Sequence, residues 1–165
     1  MTLFARRAKG FSLIELVIAI ALLGIALSIA APSFRGYIEN LNLRSAAREI
    51  ASDIFVTRER AISENRKYQI RFNKEAKSYS IFKRNEKDTD WEASAFMVKP
   101  LSTLGRNIDF SMEDNITLTF QTRGIVSNET ISLNGGGTMT AKITTNAAGR
   151  TYAKFIQKTC GSDTD

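Results

Sequence analysis

Residues Phe11 to Ala31 form a run of 21 in which only Ser12, Glu15, Gly24 and Ser28 are not apolar. As a helix this run would reach about 31 Å, roughly the hydrocarbon thickness of a bilayer. It is apolar on every side, so it is not the amphipathic helix of a protein surface. Arg6, Arg7 and Lys9 stand before it, with no acid among the first ten residues. The positive-inside rule then keeps that end cytoplasmic and exports the rest of the chain. The full length of 165 residues leaves room for one folded domain behind the segment.

Three readings compete for the run. A cleaved secretory signal has the basic start and the small residues near Ala30, but its core is shorter, and a cut after Ala31 would leave Pro32 just past the bond. A plain membrane anchor is the second. The third explains Glu15, the only charge in the run, because a carboxylate inside a bilayer costs about 2.5–3.5 kcal/mol on insertion scales. A cut between Gly10 and Phe11 would create an α-amino group four residues before Glu15. Amine and carboxylate could then neutralise each other, within one chain or between packed neighbours.

The stretch Lys9-Gly10 followed by Phe11-Ser12-Leu13-Ile14-Glu15-Leu16 resembles the processing site of type IV prepilins and type II secretion pseudopilins. The resemblance implies that a prepilin peptidase cuts after Gly10 and N-methylates Phe11. It puts Glu15 where the family keeps the glutamate that sets filament register, and Gly24 and the helix-bending Pro32 where many members have theirs. Residues 1–10 are then a discarded leader and 11–31 a transmembrane or filament-core helix. Loss of Arg6, Arg7 and Lys9 lowers the net charge from +6 to +3, so the basic balance of the precursor is a poor sign of nucleic-acid binding.

Pro32 bends a helix without ending it. Beyond it, apolar residues recur at Phe34, Ile38, Leu41, Ala47, Ile50, Ile54, Ala61 and Ile62, intervals that suit one helical face. This predicts an amphipathic helix half over 32–66, ending near Asn65. Short β-rich runs occupy 67–73, 77–83, 96–98, 108–112, 116–121, 130–133, 139–145 and 151–157, separated by turn signals such as Arg123-Gly124, Gly135-Gly136-Gly137 and Ala148-Gly149. The expected fold is α+β: a long N-terminal helix, transmembrane half plus amphipathic half, packed on a small antiparallel β-sheet head over 67–160. The head is expected as two small sheets or one bent sheet. Arg84 to Glu92 reads as a solvated loop, the triple glycine as a flexible hairpin loop, and 161–165 as a frayed tail.

The head carries a second, looser resemblance. Thr57-Arg58-Glu59-Arg60-Ala61-Ile62-Ser63-Glu64-Asn65-Arg66 is similar to the helix-to-strand passage of the GspH/FimT subfamily of minor pilins. Ile116 to Phe120 leading to Arg123-Gly124, a strand at 130–133, and Asn146 followed by Gly149-Arg150 keep that subfamily's order over about residues 46–157.

No enzymatic constellation stands out. The chain has no histidine and one cysteine, Cys160, which removes the usual histidine-based triads, zinc sites built on His or several Cys, and an intrachain disulfide. Cys160 is left as an unpaired surface thiol or half of an intermolecular disulfide. No Lys-Ser/Thr follows the triple glycine, so it is no phosphate loop. The sequons at Asn115 and Asn128 read as chance. No catalytic residue, metal or cofactor is expected.

One segment carries a sharper expectation. Between Glu129 and Asp163 there are no acids but four bases, Lys142, Arg150, Lys154 and Lys158. If the last strand is extended, Arg150, Tyr152, Lys154 and Lys158 share a side, where cations beside an aromatic could track phosphates and stack a base. The subfamily includes DNA-binding parts of uptake pili that use a basic region after the Gly-Arg pair. This chain has Tyr152 where a second arginine would help, so a solvated strand face is the competing reading.

The expected role is that of a minor pseudopilin of the type II secretion pseudopilus, a structural subunit and not an enzyme. The alternative is a minor pilin that primes a type IV pilus or binds DNA during uptake. The implied partners are prepilin peptidase, other pilins or pseudopilins in a filament, the inner-membrane assembly platform, the inner membrane itself and exoprotein cargo, with DNA only under the alternative. The implied location is the bacterial inner membrane, single pass, with the head in the periplasm.

Overall fold

The computed structural model describes residues 11–84, 91 and 94–158, the side chains of 30–33 excepted. The elements run α1 (Leu13–Ser63), β1 (Tyr68–Asn73), β2 (Ser78–Lys83), β3 (Met97–Pro100), a 3-10 turn at Leu101–Thr103, β4 (Asp109–Phe110), β5 (Ile116–Phe120), β6 (Glu129–Asn134), β7 (Met139–Thr145) and β8 (Thr151–Gln157). The chain divides after Arg35 into an N-terminal unit and a head that begins at Gly36.

In the N-terminal unit the Leu16 amide donates to the Ser12 carbonyl at 3.1 Å, which makes Ser12 the N-cap of α1. Glu15 falls three residues later, the Ser-x-x-Glu spacing of a capping box. Every large apolar side chain from Leu13 to Ile29 is more than half exposed. α1 continues through Pro32. Among the described residues no single helix is long and apolar enough to cross a membrane; Leu13–Ile29 and Phe34–Ser63 meet the length and composition only as a pair.

Within the head, α1 buries Leu43, Ala46, Ala47, Ile50, Ile54, Thr57 and Ala61, steps of one, three and four that keep one stripe inward. Part of the expected face is corrected by the structure. Ala47, Ile50, Ile54 and Ala61 are buried, whereas Ile38, Leu41 and Ile62 are 46%, 45% and 40% exposed. At about 100° per residue Leu41 lies opposite Ile50, and Ile38 and Ile62 lie about 120° round from it. Leu43, Ala46 and Thr57, absent from the expected set, take the inward places. The Thr57 hydroxyl is satisfied by the Asp53 carbonyl at 2.7 Å, so a polar residue fits there.

The helix stops at Ser63, two residues before the expected end. Asn65 adopts φ +51°, its amide donates to Ile62 and that of Arg66 to Ala61, both at 3.2 Å. This is a Schellman closure with asparagine in the left-handed position.

The strands form two four-stranded antiparallel sheets, in the orders β3-β2-β1-β5 and β4-β6-β7-β8. In the first, Ile70 lies between Ile81 and Leu118; in the second, Ile131 faces Ile143 and Leu133 faces Ala141. Both sheets turn these residues into one core with the α1 stripe, and Phe72 links Tyr79 and Phe110 at ring distances of 5.5 and 5.8 Å. The triple glycine is not a free hairpin tip. A Cβ on Gly135 would sit 3.4 Å from Leu43 Cβ and one on Gly136 2.9 Å from the Glu39 carboxyl carbon. Residues without side chains let the β6–β7 turn close on α1.

Candidate functional site

At the N-terminus Phe11 is 80% exposed, two residues before α1. Gly10 and the rest of the leader lie outside the described residues. Glu15 sits in the first turn of α1, where the helix dipole favours a negative charge. Around it, Leu13, Ile14, Leu16 and Val17 are all more than half exposed. A segment this apolar and uncovered is built for surroundings other than water.

A second group of residues centres on Arg58. Its Nε donates to the Gly124 carbonyl at 3.0 Å and its Nη1 pairs with Glu59 at 3.1 Å. Gly124 and Gly149 have φ of +78° and +75°. A Cβ on Gly149 would collide with the Arg58 guanidinium and lie 2.6 Å from the Gly124 carbonyl; one on Gly124 would lie 2.8 Å from Ile62 Cδ1. The Arg123-Gly124 and Gly149-Arg150 pairs are therefore two loops closed around one helix side chain. Sequence reasoning noted all three pieces separately. It missed that the arginine requires the glycines, because no spacing along the chain relates residue 58 to 124 and 149.

The basic segment lies on β8. Tyr152 and Lys154 face outward and exposed, as do Arg150 before the strand and Lys158 after it. Lys154 is opposite Lys142 on β7. Arg150 and Tyr152 are held by Asn146, whose Oδ1 accepts the Arg150 amide at 2.9 Å and whose Nδ2 donates to the Tyr152 hydroxyl at 3.0 Å. Cys160 and the tail 161–165 lie outside the described residues, as do 85–90 and 92 of the expected loop; Trp91 bridges to Arg84.

A further group of charged residues seats α1 on the first sheet. Lys99 reaches Asp53 at 2.8 Å and Glu49 at 3.1 Å, bonds that raise its pKa above the ordinary lysine value. The Tyr79 hydroxyl donates to Asp53. Burial first, then that carboxylate, push the phenol well up. These residues hold α1 against the first sheet. Among the described residues no cluster of His, Cys, Asp or Glu could hold a metal ion.

Comparison with known proteins gives concordant results. Residues 5–31 match the prokaryotic N-terminal methylation motif, and residues 46–149 match the family described as type II transport protein GspH. Type II secretion system protein H of Xanthomonas campestris pv. campestris is 40% identical over 58 residues, 35% of this chain. That stretch spans about a third (34%) of the relative's length. Two solved structures share the fold. The minor pseudopilin EpsH from the type 2 secretion system of Vibrio cholerae superposes with a TM-score of 0.53 at 14% identity, over 70% of this chain and 97% of that one. The type IV minor pilin FimU of Pseudomonas aeruginosa superposes with 0.54 at 19% identity, over 72% and 92%.

Proposed function

The chain belongs to the GspH family of type II transport proteins, and from that premise we propose that it is a minor pseudopilin, a structural subunit of a type II secretion pseudopilus. The observation that carries this reading is the union, in one chain, of the N-terminal methylation motif over 5–31 with the GspH head over 46–149. In this reading a prepilin peptidase removes residues 1–10 and methylates Phe11. The apolar helix holds the subunit in the inner membrane, with the head in the periplasm. The subunit then leaves the bilayer and packs its exposed helix against neighbours on the assembly platform. Glu15 pairs with the amine of an adjacent Phe11, which sets axial register and offsets the burial of both charges. Pro32 supplies the bend of the helix. The filament helps to move folded exoproteins outward.

The test is the secretome of a deletion strain against its parent, with periplasmic fractions alongside. Secreted enzymes should accumulate in the periplasm of the mutant. Unchanged secretion would overturn the reading and favour a minor pilin of a type IV pilus. The likeness to FimU concerns the fold alone, and surface piliation and DNA uptake would then be measured.

A further inference from the structure

Among the described residues β8 is the outer strand of its sheet, and the register fixes which half of its backbone has no strand partner there. The Lys158 amide donates to the Thr138 carbonyl at 2.6 Å and the Asn146 amide to the Arg150 carbonyl at 3.0 Å. Even-numbered residues of β8 therefore turn their backbone groups toward β7. Thr151, Ala153, Phe155 and Gln157 turn theirs outward, along an edge of seven residues. A free edge of this length is a template for another strand.

α1 lies beside this edge. The Arg44 guanidinium is 5.5 Å from the centroid of the Phe155 ring. Ala51, Phe55 and Arg58 face residues 148–152 across an open groove of about 540 Å³. Phe55 is 56% exposed there. Arg44, Arg48, Ala51, Phe55 and Arg58 form one helical stripe; Arg150 lines the groove on the strand side, while Lys154 and Lys158 stand on the other face of β8. Glu59, paired with Arg58 at 3.1 Å, is the acid that the ion pairs bring to this rim.

We propose that the β8 edge is a strand-addition site for an extended acidic segment of a partner protein. The segment bonds to the outward backbone groups of Thr151, Ala153, Phe155 and Gln157. Cross-strand partners share a face, so a residue opposite Thr151 or Ala153 turns its side chain toward α1 and seats it on Ala51 and Phe55. Carboxylates on the α1-facing side of the segment meet Arg44, Arg48 and Arg58, and those at the alternate positions meet Lys154 on the other face. The alternating amides and carbonyls argue for a polypeptide, since a phosphate backbone would use the cations and leave the ladder unpaired. A second copy of the same edge would bring Lys154 and Lys158 against their own kind, which is unfavourable. The proposal goes beyond the filament reading and holds whichever machine the subunit serves.

The mature full chain in detergent micelles, panned against a displayed library of random peptides roughly ten residues long, tests it. Enriched peptides should alternate acidic and apolar residues, and binding should protect the amides of Thr151, Ala153, Phe155 and Gln157 from hydrogen exchange. Ala153→Pro removes one outward amide and leaves the bonds to β7 intact; it should weaken binding about tenfold. Phe55→Asp, on the exposed side of α1, should weaken it comparably by spoiling the seat and repelling the carboxylates, so one variant still decides if the other misfolds. Oligo-deoxythymidine should not displace the peptide. No enrichment, binding that survives both substitutions, absence of protection on β8, or displacement by the oligonucleotide would each overturn the proposal.

Discussion

From Leu13 to Ile29 each large apolar side chain of α1 is more than half exposed, whereas Leu43, Ala46, Ala47, Ile50 and Ala61, farther along the same helix, are fully covered. Backbone hydrogen bonding is the same in both stretches, so the difference lies in where the contacting atoms come from. The later stretch alternates apolar and charged faces and takes its cover from the two sheets of its own chain. The earlier one has no polar face to give to water, and its stabilising contacts must come from a bilayer or from other subunits. Helix propensity alone contributes little to either. The comparison predicts that substitutions in the two stretches fail different tests.

The largest effect is expected at Glu15. Glu15→Ala should be processed normally and leave the unfolding of the head unchanged. Incorporation into filaments should fall by about tenfold or more, because removing one member of a buried charge pair strands the other. Co-purification of the variant with sheared filaments reads this directly, and parental levels would count against the Glu15–Phe11 pairing. The reverse case is Ile50→Ala, at a fully buried site. It should destabilise the head by about 2–5 kcal/mol, measured by denaturant unfolding followed at Trp91. Leu22→Ala, 62% exposed before substitution, should leave that transition in place. Similar losses at both sites would break the comparison.

Most of this division was legible in the sequence, for physical reasons. A continuous apolar run asks for surroundings other than water whichever way the chain folds, and strand alternation is a local signal. The β7 and β8 ranges, 139–145 and 151–157, coincide with the observed strands. Which apolar residues of the second helix half point inward was harder. Ile38 and Leu41 keep helical spacing with Phe34 but belong to another face, and the inward stripe through Leu43 is set by sheets more than 20 residues downstream. The Arg58 cluster was illegible for the same reason. So was the close seating of Gly135 and Gly136 on α1, which in sequence looks like any flexible turn.

Glycine sharpens the comparison at a smaller scale. Gly24 has no atom within 4 Å of where a Cβ would stand, while at Gly149 a Cβ would meet Arg58 and the Gly124 carbonyl in a backbone of φ +75°. Gly149→Ala should therefore cost the head about 2 kcal/mol. Gly24→Ala should leave the head untouched and favour the helix by up to about 1 kcal/mol. Paired denaturant titrations would show it, and a neutral Gly149→Ala would mean that the Arg58 cluster yields easily.

The smallest effect concerns the charged seam where α1 hands over to β1. The Glu64 carboxylate accepts from Lys83 Nζ at 2.6 Å and from the Tyr68 hydroxyl at 2.9 Å. These bonds, that from Lys83 first, hold its pKa below the usual 4.5. A depressed carboxylate contributes stability that is fully present above 4.5 and is lost as the pH falls through the folded value. The Lys83 ammonium is shifted up by the same bond, so its share is lost only on the alkaline side. With Glu64 37% and Lys83 22% exposed, solvent screens the pair, and its contribution should be roughly 0.5 kcal/mol. Glu64→Gln should lower stability by about that much at neutral pH and converge on the parent in acid. Unfolding midpoints at neutral pH and well below pH 4.5 measure it. A difference that widened in acid would reverse the sign and place the stabilising contact on the protonated form.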